Sequence, residues 1–232
     1  VHAVVNNYAI LDFSVYDALQ AGFNHIVFIV NEDLISVFEA RYLNVFPEHI
    51  KVDITLQDTS GLPKRKRPWG TGHALLSLKK LVHNNFALIN ADDFYGRDAF
   101  KLMHDALYAD TNKQNYFIGY PLKNTLSEFG AVSRGVCILN ENQDLKHIVE
   151  HTNISKENLS MPLDTIVSMN FWGFTPEVFN IADALFATFL RKHKNSQTAE
   201  FFIPQIVDFM INEYDSVFKM LETSAKWFGV TY

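Results

Sequence analysis

The chain has 232 residues, a formal net charge of −6, 48% hydrophobic and 20% charged residues. These values exclude a disordered chain and allow one substantial core. The acidic balance excludes a general nucleic-acid surface, which needs basic residues to displace phosphate counterions, but it leaves room for a small anionic ligand at a local basic cluster.

Val1–Val5 reads as a residual strand, and no glycine-rich turn follows it. An open sheet needs a first strand, so residues before Val1, or a loop, are expected to be missing from this sequence. Phe13–Ala21 is a predicted helix with Val15, Ala18 and Leu19 on one face, stopped by Gly22. His25–Val30 is a continuous apolar run of the kind buried on both faces of a parallel sheet. A helix over Leu34–Phe46 and a strand over Lys51–Leu56 follow. Gln57–Pro68 is the longest polar connection, and long loops in compact domains are often functional. Gly72–Val82 is a third helix, Asn85–Asn90 a buried strand and Arg97–Tyr108 a fourth helix. This β-α-β-α order predicts an α/β fold, Rossmann-like, with a mostly parallel mixed sheet flanked by helices.

The second half changes character. Asn115–Tyr120, Ala131–Leu139, Leu145–His151 and Ile166–Thr175 are predicted strands. Pro176 marks a helix start, and Glu177–Lys194 and Ile203–Glu213 have helical spacing. Val217–Leu221 is a weak final strand. Residues 1–232 are expected to form one domain. The single cysteine, Cys137, cannot form a disulfide within the chain, which suits a reducing compartment. The apolar runs are far shorter than the roughly 20 residues that span a bilayer, and no signal peptide is visible. The expectation is a cytoplasmic protein without membrane or nucleic-acid partners; the oligomeric state is left open.

Asn90-Ala91-Asp92-Asp93 lies at the end of an apolar strand. Ligands of open α/β sheets bind outside the carboxyl ends of strands. A carboxylate there suits Mg²⁺, which takes one or two carboxylates and completes its shell with water and phosphate oxygens. The competing role is an N-cap for the helix near Arg97. Arg67-Pro68-Trp69-Gly70-Thr71-Gly72-His73 precedes a helix. Its glycines allow close backbone approach, and a helix start offers free N–H groups, either to a ligand or to a plain loop. Lys64-Arg65-Lys66-Arg67 reads as charge for phosphates or, more readily, as a solvated loop. Phe171 and Trp172 read as core rather than as a stacking platform.

Taken together, these segments resemble the sugar-1-phosphate nucleotidyltransferase family (NDP-sugar pyrophosphorylases). Ile10-Leu11-Asp12-Phe13-Ser14 with Ala18, Ala21, Gly22 and Phe23 is similar to that family's first helix. Gly70-Thr71-Gly72-His73-Ala74 resembles its base-contacting loop. Leu88-Ile89-Asn90-Ala91-Asp92 resembles its metal-aspartate strand, and the alignment picks Asp92 over Asp93. Phe129-Gly130 and Ile148-Val149-Glu150 resemble the sugar-site glycine and glutamate. Met169–Phe174 resembles the segment whose asparagine, here Asn170, contacts the sugar, and Ala199–Ile203 the entry to a late helix. Three departures stand out. The family's glycine-rich loop with its basic residues is absent before Ile10. His151, not Lys, follows Glu150. The family's second metal carboxylate has no counterpart before Tyr232.

The resemblance implies Mg²⁺-dependent transfer of a nucleoside monophosphate from a nucleoside triphosphate to a sugar 1-phosphate, with release of pyrophosphate. It places Asp92 on the metal and the nucleotide, Gly70 and Thr71 on the nucleotide, and Gly130, Glu150 and Asn170 on sugar hydroxyls. Arg67 is the candidate catalytic cation. The alternative is a non-catalytic nucleotide- or sugar-binding module, or a regulatory one, derived from the same fold.

Overall fold

The computed structural model describes residues 3–5, 8–65, 67–110, 113–128, 130–159 and 161–229. In chain order the first elements are β1 (Ala3–Val5), β2 (Tyr8–Ala9), α1 (Ile10–Ala21), β3 (His25–Val30), α2 (Ile35–Tyr42), β4 (Lys51–Leu56) and α3 (Thr71–Leu76). Next come β5 (Phe86–Leu88), β6 (Asp93–Phe94), α4 (Arg97–Ala109), β7 (Asn115–Pro121), β8 (Val132–Leu139) and β9 (Leu145–Ile154). The last are β10 (Ile166–Phe174), α5 (Val178–His193), α6 (Ile203–Tyr214), β11 (Phe218–Glu222) and β12 (Phe228–Gly229). They fall into two compact units. Unit 1 takes Val1–Phe23, Asn85–Thr175 and Ile211–Tyr232; unit 2 takes Asn24–Asn84 and Pro176–Met210.

Unit 1 is built on a six-stranded sheet in the order β11-β7-β10-β8-β9, with β5 also paired to β10. Every residue of β7 is buried, which suits its apolar sequence. Phe117, Phe171, Trp172, Phe174 and Phe218 are fully buried, so Phe171 and Trp172 are core side chains. Helix α4 buries Ala99, Phe100, Met103 and Leu107 along one face and packs on α1 and β7. Helix α1 starts earlier than its apolar spacing predicts, because the Asp12 carboxylate reaches back and accepts the Ala9 N–H at 2.6 Å.

Unit 2 holds the parallel pair β3–β4, in register from His25–Lys51 to Val30–Leu56. The rings of Phe28, Phe38 and Tyr42 pack β3 against α2 at centroid distances of 4.4 to 5.4 Å. A second aromatic cluster joins Trp69, Phe186, Phe189 and Phe201. Helix α2 ends at Tyr42 rather than Phe46, and α3 is one short turn and a half instead of running to Val82. Leu43 is extended and Asn44 is left-handed, so the chain leaves the helix before its apolar pattern does.

The chain is α/β with a mixed sheet and helices. The parallel pairs are β3–β4 and β7–β11; those around β10 are antiparallel. Among the described residues no helix is long and apolar enough to cross a membrane.

Candidate active site

Strand β10 changes partner along one edge. Val167 and Ser168 pair with β8, whereas Trp172 to Phe174 pair with β5. On its other edge, Ser168 pairs with Gly119 and Trp172 with Phe117, so four steps of β10 face two of β7. The extra residues form a bulge at Met169–Phe171, with Asn170 left-handed at φ 60°. Asparagine tolerates that conformation better than most residues. The Asn170 side-chain oxygen accepts from the Trp172 indole at 3.4 Å, and its backbone N–H donates to Ser168 Oγ at 3.3 Å. A bulge where strands diverge is a common place for a ligand in sheet proteins.

The Asp92 loop follows β5, the second of those partners. Asp92 is exposed and makes no hydrogen bond or ion pair among the described residues. Neither aspartate caps α4, whose N-cap is Gly96 with no side-chain bond. Asp93 is the opposite case, 8% exposed. Its Oδ2 accepts from Asn90 Nδ2 at 3.0 Å and from the Tyr95 hydroxyl at 3.2 Å. Burial pushes its carboxyl up to about 6; Asp92 adds to this, while the two hydrogen bonds and the Arg134 charge oppose it. Tyr95 is fully buried and stays protonated, because burial raises its phenol well above the ordinary value.

Sequence reading missed Arg134. It is 8% exposed on β8. Its Nε donates to Thr125 Oγ1 at 3.0 Å, Nη1 to the Ser133 carbonyl at 2.8 Å and Nη2 to the Thr125 carbonyl. The guanidinium lies over the Trp227 ring, 4.8 Å from its centroid. Burial lowers its pKa to about 10, opposed by the charges of Asp93 and Glu150, so it remains a cation at neutral pH. Glu150 pairs with Gly135, next to Arg134, and is exposed. Gly130 has φ 141° and nothing within 4 Å of where a Cβ would stand, so packing does not demand a glycine there. Its neighbour Phe129 lies outside the described residues. Cys137 is buried, and burial pushes its thiol up to about 12, which leaves it inert as a nucleophile.

Gly70 and Thr71 belong to unit 2, where the 201–203 segment meets them. Phe201 N–H donates to the Trp69 carbonyl, and Gly72 N–H to the Phe201 carbonyl, both at 2.8 Å. Thr71 Oγ1 accepts the Ile203 N–H at 3.3 Å and so serves the start of α6. The Thr71 hydroxyl proton stays available as a donor. Arg67 is exposed, with no hydrogen bond or ion pair among the described residues. Arg65 is not a solvated loop charge. It stacks 4.3 Å from the Trp69 centroid and donates to the carbonyls of Ala199 and Gln197. Lys66 lies outside the described residues.

Gln57 Nε2 holds this loop through the Gly70 carbonyl and His73 Nδ1, both at 3.1 Å. The amide N–H donates, so Nδ1 accepts and His73 is neutral in this arrangement. Burial lowers the His73 pKa below 6.5, opposed by Asp58. A depressed histidine adds stability above the unfolded pKa, and that stability is lost as pH falls through the folded value. The His73 ring is expected to titrate below 6.5 when followed by NMR; a midpoint above that contradicts the Gln57 pairing.

Solved structures establish the fold. An inositol-1-phosphate CTP transferase from T. maritima aligns with a TM-score of 0.67 at 12% identity, covering 98% of this chain and 78% of that one. A UDP-glucose pyrophosphorylase complexed with UDP-glucose gives 0.62 at 15% identity, covering 94% and 80%. CTP:phosphocholine cytidylyltransferase from Streptococcus pneumoniae gives 0.63 at 9% identity, covering 98% and 82%. Among curated proteins none matches by sequence. Residues 2–230 match the family described as Nucleotidyl transferase. The chain belongs to that family, and it is a nucleotidyltransferase.

Proposed function

We propose that the chain transfers a nucleoside monophosphate from a nucleoside triphosphate to a sugar 1-phosphate. A phosphate oxygen of the sugar 1-phosphate forms a bond to the α-phosphorus, the bond to the β,γ-diphosphate breaks, and pyrophosphate leaves. No covalent enzyme intermediate is needed, so the protein contributes positioning and charge neutralisation. The observation that carries this reading is Asp92, an exposed carboxylate just beyond β5 with no hydrogen bond or ion pair among the described residues. It fits Mg²⁺, which needs one or two carboxylates and takes its remaining ligands from water and phosphate. When bound, Mg²⁺ supplies charge neutralisation at phosphate oxygens.

The chain's own residues do the rest. Asn170 and Glu150 hold sugar hydroxyls, which both donate and accept, and Gly130 lets the sugar approach the backbone. Gly70 and Thr71 hold the nucleotide through backbone and hydroxyl. Arg67, an exposed cation without a partner among the described residues, meets phosphate. The relatives named above support a phosphorylated acceptor: inositol 1-phosphate and phosphocholine stand in their names, and UDP-glucose in a complex. We read residues 1–232 as one nucleotidyltransferase domain. A single cysteine suits the cytoplasm.

The test is a pyrophosphate-release screen with Mg²⁺, pairing each nucleoside triphosphate with sugar 1-phosphates, inositol 1-phosphate and phosphocholine. Release that depends on a sugar 1-phosphate is expected. Release with phosphocholine alone overturns the sugar assignment. Binding of nucleotide or sugar without any release favours the non-catalytic module.

A further inference from the structure

We propose that Tyr95 is a positioning residue, whose one hydroxyl ties the Asp92 loop to the Asn170 bulge. The inference rests on the reading that Asp92 holds the metal and Asn170 the sugar. The Asn90 backbone N–H donates to the Tyr95 oxygen at 3.0 Å, two residues before Asp92. The Met169 carbonyl, one residue before Asn170, lies 3.1 Å from the same oxygen. The single phenol proton is shared between the Met169 carbonyl and the Asp93 carboxylate, directly after Asp92, which lies 3.2 Å away. The hydroxyl therefore touches the chain on both sides of Asp92 and immediately before Asn170.

The strand pairings leave this task to the tyrosine. Strand β5 has ended at Leu88, and β10 has no pairing with β8 or β5 at Met169–Phe171. The ladder does not register the Asp92 loop against the bulge. Tyr95 joins residues 74 apart in sequence through its bond to Met169. It is itself firmly held. The Tyr120 hydroxyl donates to its backbone carbonyl at 2.9 Å, and its ring packs against Phe171 and Phe100 at 5.1 and 6.3 Å. Its side chain is fully buried. A buried hydroxyl with partners on two segments fixes their separation, and removing it leaves polar groups unpaired.

The experiment is Tyr95→Phe, which keeps the ring and removes the oxygen. Two constants are read in the pyrophosphate-release assay: the half-saturating Mg²⁺ concentration and the KM for sugar 1-phosphate. Both are expected to rise together, roughly tenfold, with the KM for nucleotide at saturating Mg²⁺ within about twofold. In ligand-free protein, amide hydrogen exchange at Asn90 and Asn170 is expected to quicken together. A purely structural tyrosine lowers Tm without moving either constant, and that result overturns the proposal. So does a rise in one constant alone. Tyr120→Phe removes only the bond to the Tyr95 carbonyl and is expected to give the same paired rise at smaller size. It decides the matter if Tyr95→Phe does not fold. Asp92→Ala and Asn170→Ala run in parallel: if neither changes the kinetics, the underlying site assignment fails. If both do and Tyr95→Phe matches wild type, the coupling alone fails.

Discussion

Asp92→Ala is expected to lower the rate of Mg²⁺-dependent nucleotidyl transfer by roughly a thousandfold or more, while Tm stays within about 2 °C of wild type. The two halves of that expectation come from one observation. Asp92 is exposed, bonds to nothing among the described residues and does not cap α4. Its truncation therefore removes no folding contact, and any lost rate reports on chemistry. Asp93→Ala is the contrast. That side chain is buried and accepts from Asn90, so its loss leaves the Asn90 amide unpaired, while the Tyr95 hydroxyl keeps the Met169 carbonyl, and the loss is expected to lower Tm visibly. Wild-type turnover in Asp92→Ala would remove it from the mechanism. An equal fall in Tm for both variants would show that the exposed position of Asp92 is wrong.

The distinction between the two aspartates was only partly legible in the sequence. Local pattern placed both at a strand end, and the resemblance chose the first. Their division of labour depends on Tyr95 and Asn90 filling the pocket around Asp93, which no periodicity reports. Arg134 was missed for a similar reason. A lone arginine in a strand reads as solvent-facing, yet this one is covered by Thr125 and the Trp227 ring. Strand existence was legible, because alternation and apolar runs are local. Strand direction and the β10 bulge were not, because both depend on partners distant in sequence. The two-residue strands β6 and β12 pair with each other, and nothing in either segment announces it. Arg65 shows the same error: a basic run looks solvated until an aromatic face and two carbonyls claim one member.

Gly70→Ala is expected to destabilise the fold by about 3 kcal/mol, a Tm fall of about 6–12 °C. Gly70 sits at φ 97° and ψ 175°, a region that only glycine occupies readily. A Cβ there would stand 2.4 Å from the Phe201 carbonyl oxygen and 2.8 Å from its nitrogen. Those backbone atoms cannot give way cheaply, since the oxygen accepts from Gly72 and the nitrogen donates to Trp69. Gly61 supplies the control. It too has positive φ, 76°, but nothing lies within 4 Å of its missing Cβ. Gly61→Ala carries the conformational cost alone, about 1 kcal/mol. If the two variants melt together, the close approach of Gly70 to Phe201 is not real. The glycine that resembles a nucleotide-binding residue is thus already demanded by packing, so activity lost in Gly70→Ala reports on the fold. The nucleotide contact is better tested at Thr71, where Thr71→Val removes one acceptor for Ile203 at about 1 kcal/mol. A rise in nucleotide KM much larger than that loss explains then belongs to the ligand.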